Sequence, residues 1–261
     1  MRAFAFALAA SLALAGAAEA APRRVASLNL CTDELLLLLA APEQIVSVTH
    51  LAQSRAETPL WRQARRYRRN DGSLLSAVAL RPDLVLTMGG GARDRAGIAQ
   101  RLGITVIDLP FPQSLDDVET GVRQVAEALG RPRARDRVLK RLAALRRSRP
   151  PVSADTIWLG GGGRSVTADG LEAQWMALAG FRQRALRGDR VGLEQLLARP
   201  PAVLLRSDYR SGQYSGAQRW LSHPLAKGTG RSRTIPTDGR RWTCMGPLMI
   251  DEIIRLREQR R

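Results

Sequence analysis

This 261-residue chain carries only two cysteines and two histidines. Cys31 follows the short apolar run Val25–Leu28, in "NLCT", and Cys244 lies in "RRWTC", ahead of an apolar helical run near the end of the chain. Both positions read as turns at the mouths of helices. A disulfide, two small buried thiols and a pair of thiolates on a soft metal are all open to such residues. The disulfide ranks first, because one bridge needs two cysteines and an oxidising compartment preserves it. It requires Cα atoms within roughly 7 Å. His50 would be the third ligand of the metal reading, which ranks last; His223, before a proline in "SHP", reads as an exposed turn residue.

Hydrolytic and nucleotide chemistry find little support. There is no G-x-S-x-G elbow for a serine nucleophile. "GGGGRS" (160–165) lacks the Gly-Lys-Ser/Thr ending of a phosphate loop, and "GGGARDRAG" (89–97) lacks the dinucleotide spacing. Either glycine run is a loop in which the backbone is closely approached. A non-enzyme is expected, with no intrinsic cofactor.

The elements that must position these residues alternate strand and helix. Strand Val25–Leu28 leads to a helix at 33–40, then Gln44–Val48, a basic helix near 56–67, a short helix at 73–80, Asp83–Met88, a helix at 93–102 and Ile104–Pro110. Short uninterrupted apolar runs bounded by Pro and Gly fit strands buried on both faces of a parallel sheet. From Ser114 to Arg149 only helical spacing appears, with a possible kink at Gly130–Arg133. The outline then repeats: strand Asp155–Leu159, helices at 171–179 and 191–198, strand Ala202–Ser207, a short helix near 217–222, a strand at 232–236 and a last helix at 247–259. The fold class is therefore α/β, with two Rossmann-like lobes (21–112 and 150–261) joined by a single long helical spacer (113–149) and a cleft between them.

Residues 1–20 read as an export signal, with Arg2, an apolar stretch at Phe4–Ala15 and a small-x-small site ending at Ala20. The expected destination is the periplasm. The formal charge is +17, carried almost wholly by arginine spread along the chain. Dispersed charge of that kind reads as compositional bias and not as a nucleic-acid surface, although the run at 62–71 could meet an anionic partner.

Ligands of open α/β sheets sit at the carboxyl ends of strands. Those ends here carry Asn29 and Cys31, His50, Met88 and Arg93, Arg164, Asp208, Tyr209, Arg210 and Tyr214, then Arg241 and Trp242. The arginines, Arg69 included, suit an anionic chelate, and Tyr209, Tyr214 and Trp242 offer flat faces. Trp242 reads equally well as packing at the start of the last helix.

The ordered set "RVASLNLCTDELLLLL", "ALRPDLVL", "LGITVIDLP", the helical spacer and "RRWTCMGPLMIDEIIRL" resembles the periplasmic binding proteins of cobalamin and ferric-siderophore ABC importers, over about residues 23–258. The resemblance implies a monomer that holds a metal chelate (ferric siderophore, cobalamin or haem) between its lobes and delivers it to a permease–ATPase complex. It also implies an acidic docking residue on each lobe. The second falls on Glu194, whereas the first falls on Leu75, so that acid is missing. The rival readings are a secreted α/β hydrolase and a basic anion-binding module. The second would bind heparin or nucleic acid in a salt-dependent way; on the leading reading no nucleic-acid partner is expected.

Overall fold

The structure, a computed structural model, describes residues 21–90, 96–228 and 230–260. The expected signal at 1–20 and the candidate Arg93 lie outside the described residues. In the first lobe the elements are β1 (Val25–Ser27), α1 (Leu30–Leu39), β2 (Ile45–Thr49), α2 (Trp61–Ala64), β3 (Arg68–Asn70), α3 (Leu74–Val78), β4 (Leu84–Met88), α4 (Ala96–Arg101) and β5 (Thr105–Leu109). The five strands are all parallel, in the order β3-β2-β1-β4-β5. Central β1 and β4 are buried along their whole length, as their apolar runs require.

Two helices follow, α5 (Leu115–Ala128) and α6 (Pro132–Arg147). The second lobe contains β6 (Ala154–Leu159), α7 (Leu171–Leu178), β7 (Phe181–Gln183), α8 (Leu193–Ala198), β8 (Val203–Ser207), α9 (Gly216–Leu221), α10 (Pro224–Lys227), β9 (Arg233–Thr237), α11 (Arg241–Cys244) and α12 (Met249–Arg260). Its sheet, β7-β6-β8-β9, is also parallel throughout. The two-lobe α/β architecture is the one expected.

Four details differ from the expectation. Helix α1 begins at Leu30, not at residue 33, because Asn29 caps it: its side-chain carbonyl accepts from the Cys31 N–H at 2.8 Å. Cys31 therefore sits in the first helical turn and not in the preceding loop. The basic segment near 56–67 is helical only over α2, and the unforeseen β3 follows it. The edge strands β3 and β7 are three residues long and expose one or two of them, so they lack an apolar run.

The spacer is helical, but it is a hairpin and not one continuous rod. Gly130 turns the chain with φ +65°, and Pro132 opens α6 at a position where its missing N–H costs nothing. The two helices run antiparallel, since Arg146 near the end of α6 reaches Asp116 (2.7 Å) and Glu119 (3.4 Å) at the start of α5. Both helices span the lobes. Val122, Val125, Leu129 and Ala134 complete the first core, while Leu115, Val118, Leu142 and Leu145 complete the second.

Candidate functional site

The carboxyl ends of the two sheets face each other, and three sets of bonds cross the gap. Cys31 in α1 is disulfide-bonded to Cys244 in α11, with Cα atoms 5.2 Å apart. Glu57, in the loop after β2, accepts from the Tyr209 hydroxyl (2.7 Å) and the Arg210 guanidinium (2.8 Å), both from the loop after β8. Arg240 donates to the Arg55 carbonyl at 3.1 Å. Covalent and charged ties therefore hold the lobes in contact along one line.

These ties divide the cleft. On the hairpin side, the disulfide, Glu34, Met88, Gly121, Gln124 and Pro247 line a cavity of about 70 Å3. That is far below the several hundred Å3 of a typical small-molecule site. On the other side, two larger cavities of about 560 and 580 Å3 meet at Arg210. The larger is lined by Trp158, Gly161, Arg164, Tyr209 and Trp242, among others.

The second-lobe wall is built from its own hydrogen bonds. Asp208 accepts from the Gly239 N–H at 2.8 Å, and Gln218 donates to the Tyr209 carbonyl at 2.9 Å. Arg210 adopts a left-handed backbone, φ +53°, the kind of conformation that persists only where its surroundings over-determine it. A Cβ on Gly239 would collide with Ser207 and Tyr209, so only glycine lets these two loops touch. Trp242 is buried, donates to the Thr237 hydroxyl at 2.7 Å and packs on Trp158 with ring centroids 5.9 Å apart. Thr237 in turn donates to buried Glu252. Trp242 is thus both core and cleft wall.

Two buried carboxyl groups lie behind the disulfide. Burial pushes Glu34 up to about 8; its one bond is from the Thr58 hydroxyl at 3.3 Å, and its other oxygen has no partner. Burial also raises Asp33, to about 7, against the hydrogen bonds from the Thr49 amide and hydroxyl that favour its anion. Glu34 is therefore a neutral acid at pH 7, aimed into the small cavity.

The expected residues fall into groups. Arg164, Asp208, Tyr209, Arg210 and Trp242 line the larger cavities, and Cys31 and Met88 line the small one. Asn29 has its carbonyl engaged as the α1 cap. Arg241 is bound within its own lobe by Asp238 and the Leu248 carbonyl. His50 and Tyr214 are exposed and line none of these cavities, although Gln213 and Ser215 on either side of Tyr214 do. The disulfide takes both sulfurs, so the thiolate-metal reading of Cys31, Cys244 and His50 is corrected. Among the described residues no group of His, Cys, Asp and Glu is placed to hold a metal ion.

Sequence reasoning missed Glu34, Glu57, Arg240 and Trp158. A signal existed for Glu57, which is the sole acid among the arginine-rich residues 45–70.

A family model described as periplasmic binding protein matches residues 25–230. The chain belongs to that family. Solved periplasmic binding proteins share its fold. The vitamin B12-binding protein BtuF of Vibrio cholerae is 18% identical with a TM-score of 0.62, the match covering 91% of this chain and 96% of that one. The heme-binding protein HutB of Vibrio cholerae is 17% identical with a TM-score of 0.65, over 90% and 98%. A periplasmic heme-binding protein of Pseudomonas aeruginosa is 20% identical with a TM-score of 0.59, over 90% and 91%. Comparison with the curated proteins found no match. The family comprises substrate-binding proteins, not enzymes.

Proposed function

We propose that this periplasmic binding protein is exported, captures a metal chelate in the interlobe cleft and delivers it to the permease of an ABC importer. The observation that carries the reading is the pair of roomy cavities at the carboxyl ends of the second sheet, walled by Trp158, Trp242, Tyr209 and four arginines, Arg55, Arg164, Arg210 and Arg240. Aromatic faces suit a flat macrocycle or catecholate, and guanidinium groups suit anionic oxygens. Neighbours of the same fold that bind vitamin B12 and heme support it. Glu194, exposed on α8, is the proposed permease contact of the second lobe; Leu75, exposed on α3, occupies the corresponding place on the first.

Tryptophan fluorescence is the direct test, because Trp158 and Trp242 form the wall. Titration with haem, cobalamin and ferric siderophores should quench one of the signals saturably at one equivalent. No saturable response to any of the three classes, with calorimetry equally silent, would remove the reading.

A further inference from the structure

Glu57 sits where a ligand would be expected to sit. Its side chain is 9% exposed, and both of its oxygens are used by donors from the opposite lobe. One takes the Arg210 guanidinium and the other the Tyr209 hydroxyl. The backbone that carries these donors is fixed within the second lobe, and the Arg210 guanidinium lies over the Tyr209 ring at 5.1 Å. Asp208, Gln218, Gly239 and the left-handed turn at Arg210 hold the Tyr209–Arg210 pair from behind. Arg210 borders both large cavities and Tyr209 borders one, so the pair is reachable from the cleft. The second lobe thus presents a rigid two-donor fork, and the first lobe supplies a carboxylate that fits it.

We propose that the Tyr209–Arg210 fork is a carboxylate-recognition site that Glu57 fills while the cleft is empty, and that the transported ligand carries a free carboxylate that takes Glu57's place. This deepens the chelate-binding reading and rests on it. A carboxylate from the ligand can exchange for Glu57 bond for bond, which leaves neither donor unpaired. A ligand without acidic oxygens offers the fork nothing and competes against a formed charge-assisted pair. Glu57 then acts as a selectivity element, because only ligands that outbid it gain access. Its occupancy of the fork also lowers the apparent affinity of every ligand that needs the fork, by the fraction of molecules in which the fork is free.

The test compares ligands with and without free carboxylates, haem and its dimethyl ester being the matched pair. Haem and haem dimethyl ester, ferric citrate, citrate alone and cobalamin are titrated into the wild type, Glu57→Gln, Arg210→Gln and Tyr209→Phe. Haem is expected to bind at least about tenfold more tightly than its dimethyl ester, as for a charge-assisted contact. Glu57→Gln should tighten haem and ferric citrate by about tenfold or more and leave haem dimethyl ester unchanged. Arg210→Gln should erase the preference for haem over the ester.

Equal affinity for haem and ester, with chelates still binding, overturns the inference and leaves the transport reading standing. Citrate bound by Glu57→Gln in an Arg210-dependent way, with no chelate bound by any form, sustains the fork and overturns the chelate reading. Silence from every probe on every form overturns both. Should Glu57→Gln not fold, as judged by thermal melting, Tyr209→Phe decides. It must weaken haem and spare the ester, and equal losses for both count against the proposal.

Discussion

At the scale of single residues, the buried acid Glu34 has a measurable signature. In the unfolded chain it ionises near its ordinary 4.5, whereas burial holds it protonated in the folded protein up to about 8. Between those values the folded state keeps a proton that the unfolded state has released. Its contribution to stability is therefore complete below pH 4.5, falls as pH rises, and is lost by about pH 8. Glu34→Gln is isosteric and cannot ionise, so its denaturation midpoint should fall less between pH 5 and 8 and exceed that of wild type at pH 8. Parallel profiles for the two proteins would mean that Glu34 is hydrated and ordinary. Residue types alone did not reveal this group. In the sequence Glu34 is one acid at the head of a leucine run, and only the tertiary fold leaves it 1% exposed. The disulfide partners were legible because the chain offers no other cysteines. The fork was half legible: Tyr209 and Arg210 could be named from a polar strand end, but Glu57 could not be paired with them across 152 positions.

At the scale of elements, the sequence marked the central strands and most helices because apolar run length and period survive in one dimension. It did not mark β3 and β7, which gain their hydrogen bonds from β2 and β6 and not from any pattern of their own. It also allowed one spacer helix where the chain forms two. Periodicity continues on both sides of Gly130, and the reversal depends on a φ of +65° that hydropathy does not record. Gly130→Ala is thus expected to cost about 1 kcal/mol or more, from left-handed strain alone, with further crowding of its Cβ against Ala21 at 2.8 Å. A urea midpoint unchanged from wild type would show that the turn tolerates a side chain.

At the scale of the whole molecule, the lobes are held by a helical hairpin, a disulfide and the Arg240 contact even when Glu57 leaves the fork. Binding should consequently change the radius of gyration by less than about 1 Å, as measured by small-angle scattering with and without a saturating chelate. A larger contraction would mean that the ties yield. The same rigidity should keep the outer faces of α3 and α8 at a fixed spacing, which a permease would read. Glu194→Ala should leave chelate affinity unaltered and abolish stimulation of the cognate ATPase, and undiminished stimulation would move docking elsewhere. Leu75 makes the two faces unequal, so Leu75→Glu is the variant expected to strengthen docking on the first lobe.

The Cys31–Cys244 bond joins the first helix to the last but one, 213 positions away. Backbone and bridge together form a covalent ring that contains nearly the whole described chain. A protease that cuts once inside that ring, for example in the exposed segment 210–217, opens it without releasing a fragment. Nicked protein should therefore migrate as one species on non-reducing electrophoresis and as two after reduction. Opening such a ring by Cys31→Ser forfeits about 5 kcal/mol on the chain-entropy estimate, so the variant should be both less stable and divisible by a single cut. A binding protein built this way survives one proteolytic scission as a single covalent molecule.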